Sequence, residues 1–430
     1  MKHITILLLS LLWSAPHVYA HGKAEWQQQI LEDVHATRIG GNPTTEEGRD
    51  SVRQLISAFY EEQFRQFHDP EAPTFMFLTR DSRLAMGIGG KVMLRGWYDW
   101  HGSQPGPGFY PFNIKIPSDP TENRYLGSSI NNTSVIATIL GRRNSLRFRL
   151  YVQATFFSPH IEIQRAYVQL NDFTLGLATS TFEDIGAAPP TIDSQGPNGR
   201  ITKDQVLARY IHTFRNGWSI GGGIEIPSAR INAIDNETKA CREHTPDIAA
   251  LLQYSWDHGS SYVRLSGLFR SMTYRNLLTN KNHNVTGWGA QLSGTAATTP
   301  SLILYYSGVV GQGIGSYETD FLSQNYDLVG ERDKPGELTA PLMMGLTAGV
   351  QYWFSPKVFA SLSAGKLQYY QKNPLHDSEY RYGLYGAANL FWKYTPRLLS
   401  GIEYIVGKRK NFNGAQRNAN RLSLMVSYSF

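Results

Sequence analysis

The 430-residue chain is 41% hydrophobic with a negative mean hydropathy, which excludes a bundle of membrane-spanning helices. A formal charge of +6 is too modest at this length to indicate a nucleic-acid partner, and a single cysteine, Cys241, excludes an intramolecular disulfide framework. Forty glycines, 24 tyrosines, 20 phenylalanines and nine tryptophans suit a β-barrel, in which alternation hides the membrane from hydropathy averages and aromatics gather at the interfaces.

In chain order, Lys2 supplies a positive start, Ile4 to Trp13 an apolar run, and Val18-Tyr19-Ala20 a small-residue cleavage site. Residues 1–20 therefore read as a signal peptide removed on export, since the run is shorter than the ~18 residues a spanning helix needs. The segment 21–82 is polar and reads as periplasmic. Within it an amphipathic helix is expected over about 51–68. Ser51 and Gln54 form a capping box, and Val52, Leu55, Ile56, Phe59, Tyr60, Gln63, Phe64 and Phe67 share one stripe. Pro70 and Pro73 end it. Such a helix could cover the periplasmic mouth of a barrel, pack on copies of itself, or plug the pore.

From residue 83 to 430 the pattern has a period of two, which places alternate side chains on opposite faces of strands. Strands are expected over 83–98, 132–142, 145–157, 161–170, 173–182, 203–214, 217–226, 246–256, 261–272, 284–295, 301–312, 340–353, 357–370, 381–394, 397–410 and 419–430. Every second connection is short and the others are mostly long. Sixteen strands with this asymmetry predict an all-β, 16-stranded antiparallel transmembrane barrel in a cell outer membrane, its surface in contact with the lipid bilayer. In the last strand Leu422, Leu424, Val426, Tyr428 and Phe430 alternate with polar partners. A terminal Phe430 of this kind resembles the signal read by the outer-membrane barrel assembly machinery.

A charge facing lipid at mid-membrane costs ~2–4 kcal/mol, so the parity opposite the apolar set identifies the lumen. It places inward Lys91 and Arg95 on the first strand, and Arg147, Arg149 and Tyr151 on the third. Arg165, Tyr167 and Gln169 come from the fourth strand and Gln205 and Arg209 from the sixth. Arg264 and Arg270 lie on the ninth, Arg381 and Lys393 on the fourteenth, and Arg421 on the last. Lumen carboxylates are fewer, Glu225 and Glu403 being the clearest. A net basic lining concentrates anions, so small anionic solutes are the expected cargo, although any one of these arginines could serve only to hold a loop. The loop 183–202 is rich in proline and glycine and carries Ile185, Ala187, Ala188 and Ile192. It is expected to fold inward and narrow the pore, with Glu183, Asp184 and Asp193 facing the arginines of strands three, four and six.

Arg165-Ala166-Tyr167-Val168, the run Gly176 to Asp184, Pro190-Thr191-Ile192-Asp193 and Gly196-Pro197-Asn198-Gly199 resemble the DcaP-like outer-membrane porin family. So do Met86-Gly87-Ile88-Gly89-Gly90 and Arg95-Gly96-Trp97-Tyr98-Asp99. The resemblance implies a homotrimeric, sixteen-stranded diffusion channel, narrowed by inward loops and basic enough to favour small anions such as dicarboxylates. It also implies an N-terminal helix able to form a coiled coil at the trimer axis; here that helix is aromatic-rich and lacks sustained heptads.

Two other classes compete with this reading. An enzyme would need a nucleophile with a base or a metal set, and neither G-x-S-x-G, H-E-x-x-H nor a cluster of His and Cys occurs. No catalytic residue, metal site or cofactor is expected. A non-conducting or plugged barrel acting as a surface adhesin would use the long loops 227–245 and 313–339.

Overall fold

The computed structural model describes residues 35–38, 67–69, 73, 75–79 and 83–430, the last range without 103, 105, 144, 158, 159, 322 and 323. The expected signal peptide over 1–20 and nearly all of the expected helix over 51–68 lie outside the described residues. Among the described residues there is no α-helix, only short 3-10 turns in the connections.

Sixteen long strands follow one another: β1 (Leu84–His101), β2 (Ser134–Arg143), β3 (Leu146–Phe157), β4 (His160–Leu170), β5 (Phe173–Thr179), β6 (Asp204–Thr213), β7 (Trp218–Glu225) and β8 (Asp247–Trp256). Then come β9 (Ser261–Asn276), β10 (Lys281–Thr299), β11 (Leu302–Gln312), β12 (Leu342–Ser355), β13 (Val358–Tyr370), β14 (Tyr380–Lys393), β15 (Leu398–Asn411) and β16 (Gln416–Ser429). Sequence neighbours pair antiparallel throughout, and β16 pairs back onto β1, with Leu424 opposite Gly96. Closure leaves the long strands no free edge, the condition for a sheet to stand in lipid. The alternation has the expected sense. Val92, Leu94, Leu424 and Val426 are about half exposed on the outer face, whereas Lys91, Met93, Arg95 and Trp97 between them are buried.

The turns at one end are short throughout, and the long connections lie at the other. Several strands overrun their expected limits at the long-loop end. β9 reaches Asn276 and β10 begins at Lys281, because polar residues continue the ladder beyond the apolar band where alternation no longer marks it. β5 is shorter than expected and ends at Thr179, since Ser180 to Phe182 leave the wall for the interior.

At the short-turn end, a short strand, Phe75–Leu78, pairs with Ala85 to Ile88 of β1, and a second, His35–Arg38, pairs with it in parallel. Just above, Phe430 and Gly90 exchange both backbone hydrogen bonds, at 2.9 and 2.8 Å. A Cβ on Gly90 would lie 2.5 Å from the Ser134 carbonyl oxygen, so only glycine lets β2 and Phe430 close in on both sides.

The interior is divided. The inward face of β12 to β16 carries apolar residues (Met343, Phe359, Leu367, Phe391, Met425) among buried polar ones such as Ser361, Asn389 and Glu403, and packs against inward-folded loops. The inner wall of β3 to β6 is polar. Parity alone expects a uniformly wet lumen, whereas a loop folded inside needs an apolar bed and half of the wall provides it.

Candidate functional site

The loop 180–203 crosses the interior and is buried along nearly its whole length. Two wall carboxylates clamp it. Glu225 on β7 accepts from the Ser180 hydroxyl, from the Thr181 N–H at 2.7 Å and from Gln205. Glu403 on β15 accepts from the N–H groups of Ile192 at 2.9 Å and Asp193 at 2.7 Å. Backbone donors that leave the sheet still need acceptors, and a charged acceptor makes the stronger bond. Further along, Ser361 and Asn389 donate to the Pro190 carbonyl, and the loop rests on β12 and β13 where both strands carry glycine. A Cβ on Gly365 would stand 2.3 Å from the Asn198 carbonyl oxygen. Gly365→Val is therefore expected to lift the loop from the wall and raise single-channel conductance in a planar bilayer, with a lower unfolding temperature of the barrel.

A second loop lies beside the first. Residues 313–321 are buried, and Thr202 N–H and Thr319 N–H bond across to Tyr317 and Arg200 carbonyls at 2.8 and 3.0 Å. This removes the first part of 313–339 from any outer surface, since Tyr317 and Phe321 have no exposure and belong to the interior core, while Arg332 to Pro335 and Glu337 are exposed. Phe109 and Ile114, from the loop after β1, fill a third part of the bed.

The candidate residues separate into two groups. Arg95, Arg264 and Arg270 point inward as expected but are buried and hold loops instead of lining water. Arg95 donates to the carbonyls of Ile192 and Asn131, and Arg264 to that of Thr181 at 2.6 Å. Arg270 pairs with Asp247 and Asp327, both at 3.1 Å, and donates to the Gly313 carbonyl. Lys91 is buried as well. Arg421 forms a two-pronged pair with Asp99, at 2.6 and 2.9 Å. Arg381 falls at a break in register between Tyr380 and Tyr382 and is exposed.

On the polar wall, strand pairing sets Arg149, Gln169, Thr174 and Arg209 in one row across β3 to β6. The next row carries Tyr151 and Tyr167, stacked at 5.2 Å. Arg149, Tyr167, Gln169 and Arg209 are partly accessible, and Arg147 is exposed near the β2–β3 turn. Arg209 also donates to the Thr179 carbonyl at 2.7 Å. Arg165 stands one row higher, between Asp204 at 3.1 Å and Asp69 at 2.7 Å.

The loop carboxylates accept hydrogen bonds from groups other than these arginines, and Glu183 is also within electrostatic reach of Arg165 on β4. Asp184 accepts from the Tyr262 and Ser293 hydroxyls at 2.8 and 2.6 Å. Asp193 accepts from the N–H groups of Phe109 and Gln195. Glu183 accepts from the Lys203 N–H and lies 3.9 Å from Arg200 of its own loop. Burial, reinforced by Asp204, pushes the Glu183 carboxyl up to about 8, and burial pushes Asp193 up to about 6. Both acids bind protons more tightly in the fold than in the open chain. Their contribution to stability therefore falls as pH rises above the ordinary carboxylate range and through these values. The interior also gains negative charge over that interval, so anion preference measured by reversal potential should fall between pH 6 and pH 9.

Sequence reading put Phe67 on a helical stripe without fixing where it packs and did not single out His68 and Asp69, all of which lie within the barrel, and it missed the inward course of the 313–321 loop. A long loop carrying Tyr317 and Phe321 among glycines was the available signal for the latter. Among the described residues no group of three or more His, Cys, Asp or Glu side chains is arranged to hold a metal ion.

A family model described as DcaP outer membrane protein matches residues 157–430. The chain belongs to the DcaP outer membrane protein family. No curated protein sequence matches it. Among solved structures, the DcaP outer membrane channel of Acinetobacter baumannii superposes with a TM-score of 0.70 at 18% identity, covering 82% of this chain and 99% of that one. An anion-selective porin from Comamonas acidovorans gives 0.52 at 11%, covering 81% and 100%, and OprB of Pseudomonas putida gives 0.52 at 11%, covering 80% and 94%. This DcaP-family protein is thus an outer-membrane channel barrel, with its short turns on the periplasmic side.

Proposed function

We propose that this barrel is a passive diffusion channel for small hydrophilic solutes that prefers anions such as dicarboxylates, with loop 183–202 as its constriction. The observation that carries the reading is the partly accessible row Arg149–Gln169–Thr174–Arg209 on the polar wall, while the loop acids Asp184, Asp193 and Glu183 accept from Tyr262, Phe109 and Lys203. Net positive charge on a low-dielectric wall raises the local concentration of anions. Arg149 and Arg209 leave the wall three strands apart, about 14 Å at the backbone, a spacing that suits a solute with two carboxylates on a short linker. The anion-selective porin of Comamonas acidovorans, which shares the fold, is in keeping with this reading.

The channel works without a catalytic residue or cofactor. Phe430, paired with Gly90 at the seam, belongs to the strand we assign to the assembly machinery, and a homotrimer is the proposed assembly. The deciding experiment is the reversal potential of the purified protein in a planar bilayer under a potassium chloride gradient. Chloride selectivity, with chloride current reduced by succinate, supports the reading; cation selectivity refutes it.

A further inference from the structure

The outer face of β13 to β15 is apolar over most of its height and then turns basic. Leu362, Ile402 and Val406 face outward and are about half exposed, as contact with lipid requires. With a period of two, Lys366 on β13 and Lys408 and Lys410 on β15 fall on the same face, further toward the long-loop end. Strand pairing sets them in two neighbouring rows, Lys366–Leu384–Lys408–Asn418 and Gln368–Tyr382–Lys410–Gln416. The Tyr382 ring on β14 stands between them, its centroid 5.7 Å from the Lys366 ammonium and 6.0 Å from that of Lys410.

A lysine facing lipid is costly at mid-membrane and tolerated only near the interface, which puts these rows at the external boundary of the apolar band. Among the described residues no carboxylate pairs with any of the three lysines. The two acids of the loop above are engaged elsewhere: Asp377 pairs with Arg332 at 2.8 Å, and Glu379 accepts from the His376 N–H at 3.1 Å. The outward neighbours Gln368, Gln416 and Asn418 are neutral. The face of an aromatic ring attracts an ammonium without neutralising it. Three like charges gathered in this way are stabilised by a shared anion.

We propose that Lys366, Lys408 and Lys410, with Tyr382 between them, form a site on the outer surface of the barrel for a membrane lipid whose headgroup carries phosphate. Two features select this occupant. The clustered ammoniums call for phosphate, a compact anion that lysine holds as a point charge. Leu384, in one row with Lys366 and Lys408, and Leu362 and Val406 beside it call for acyl chains continuous with that phosphate. A free phosphate satisfies only the first set of groups and a neutral lipid only the second. Tyr382 suits the boundary between them, with an apolar ring and a polar hydroxyl. The site lies outside the channel, so the proposal is independent of the ion preference of the pore.

The test uses the full-length protein purified in neutral detergent, with bound lipid read by native mass spectrometry in ammonium acetate of near-physiological ionic strength. Diphosphoryl lipid A is expected to bind, and its dephosphorylated form to bind more weakly by about tenfold or more. Each of Lys366→Gln, Lys408→Gln and Lys410→Gln should weaken the diphosphoryl form about fivefold, and the triple variant about a hundredfold. Lys357→Gln, exposed at the short-turn end beside β13, should change nothing and so separates the site from net charge. The reversal potential and the heat-induced band shift of the triple variant should match the unmodified protein, because these side chains neither line the pore nor hold the fold. Full affinity in the triple variant overturns the proposal, as does equal binding of dephosphorylated lipid A or phosphatidylcholine. Inorganic phosphate that binds as tightly as the lipid makes this a soluble-anion site and overturns it too. Loss of the oligomer in the triple variant overturns it by assigning the face to contact between copies of the chain.

Discussion

Replacing Arg149 and Arg209 together by alanine should lower the chloride-to-potassium permeability ratio by about tenfold, read from the reversal potential, with the barrel still folded. Arg149 and Arg209 share a row on the polar wall and both residues are partly accessible, so their charge is expected to act on ions in transit. Either single replacement should give an intermediate ratio. The contrast with Arg264 makes the experiment informative. That side chain also points inward, yet it is buried and donates to the Thr181 carbonyl. Arg264→Gln should leave selectivity nearly unchanged and disturb the seating of the constriction loop. If all inward arginines contributed equally to selectivity, the separation into wet and loop-holding groups would fail.

Arg270→Met should be the most destabilising of the single changes considered, by about 3–5 kcal/mol, because it leaves Asp247 and Asp327 buried without their counter-charge. None of the three side chains has more than about one percent exposure, and Arg270 also holds the Gly313 carbonyl where the 313–341 loop leaves the wall. Methionine preserves the volume, so the effect reads the lost charge and not a cavity. The measurement is the temperature at which the folded, detergent-resistant band converts to the unfolded one on electrophoresis. A companion bilayer recording should show unstable open levels as the loop loosens. An unchanged conversion temperature would mean that the two aspartates find other donors.

The barrel was largely legible in the sequence because lipid enforces a rule at every second residue. Leu422 to Phe430 announces a strand without reference to any other part of the chain, and the same holds for Leu146 to Phe156 on β3. What faces inward was legible as a direction, since parity put Arg95, Arg165 and Arg270 in the interior. Their partners were not. Arg95 meets Ile192 of the inward loop, Arg165 meets Asp69 of the N-terminal segment, and Arg421 meets Asp99 across more than 300 residues at the closing seam, pairings that no local pattern encodes. The loop 183–202 could be recognised by its prolines, glycines and apolar residues, whereas 313–321 has no period to detect. The position of Phe67 was hidden for another reason. Its aromatic side chain fits a helical stripe equally well, and only the rings of Phe359 and Phe391 show what it packs against.

The seam also bears on how the molecule comes together in time. On its other edge the upper half of β1 pairs with the nearby Tyr125–Ser129, but the edge that faces β16 must wait for a strand more than 300 residues further along the chain. Closing so long a loop is slow, and an unpaired strand edge invites the wrong neighbour while it waits. The lower half of β1 is spared that delay. Phe75–Leu78 lies only a few residues upstream of Ala85 to Ile88, so this short hairpin can form within microseconds of both segments being free. The first strand then enters assembly with one end of its vulnerable edge already covered. The hairpin fixes which stretch of β1, from Lys91 upward, remains available to the last strand, and a register slip would have to break it first.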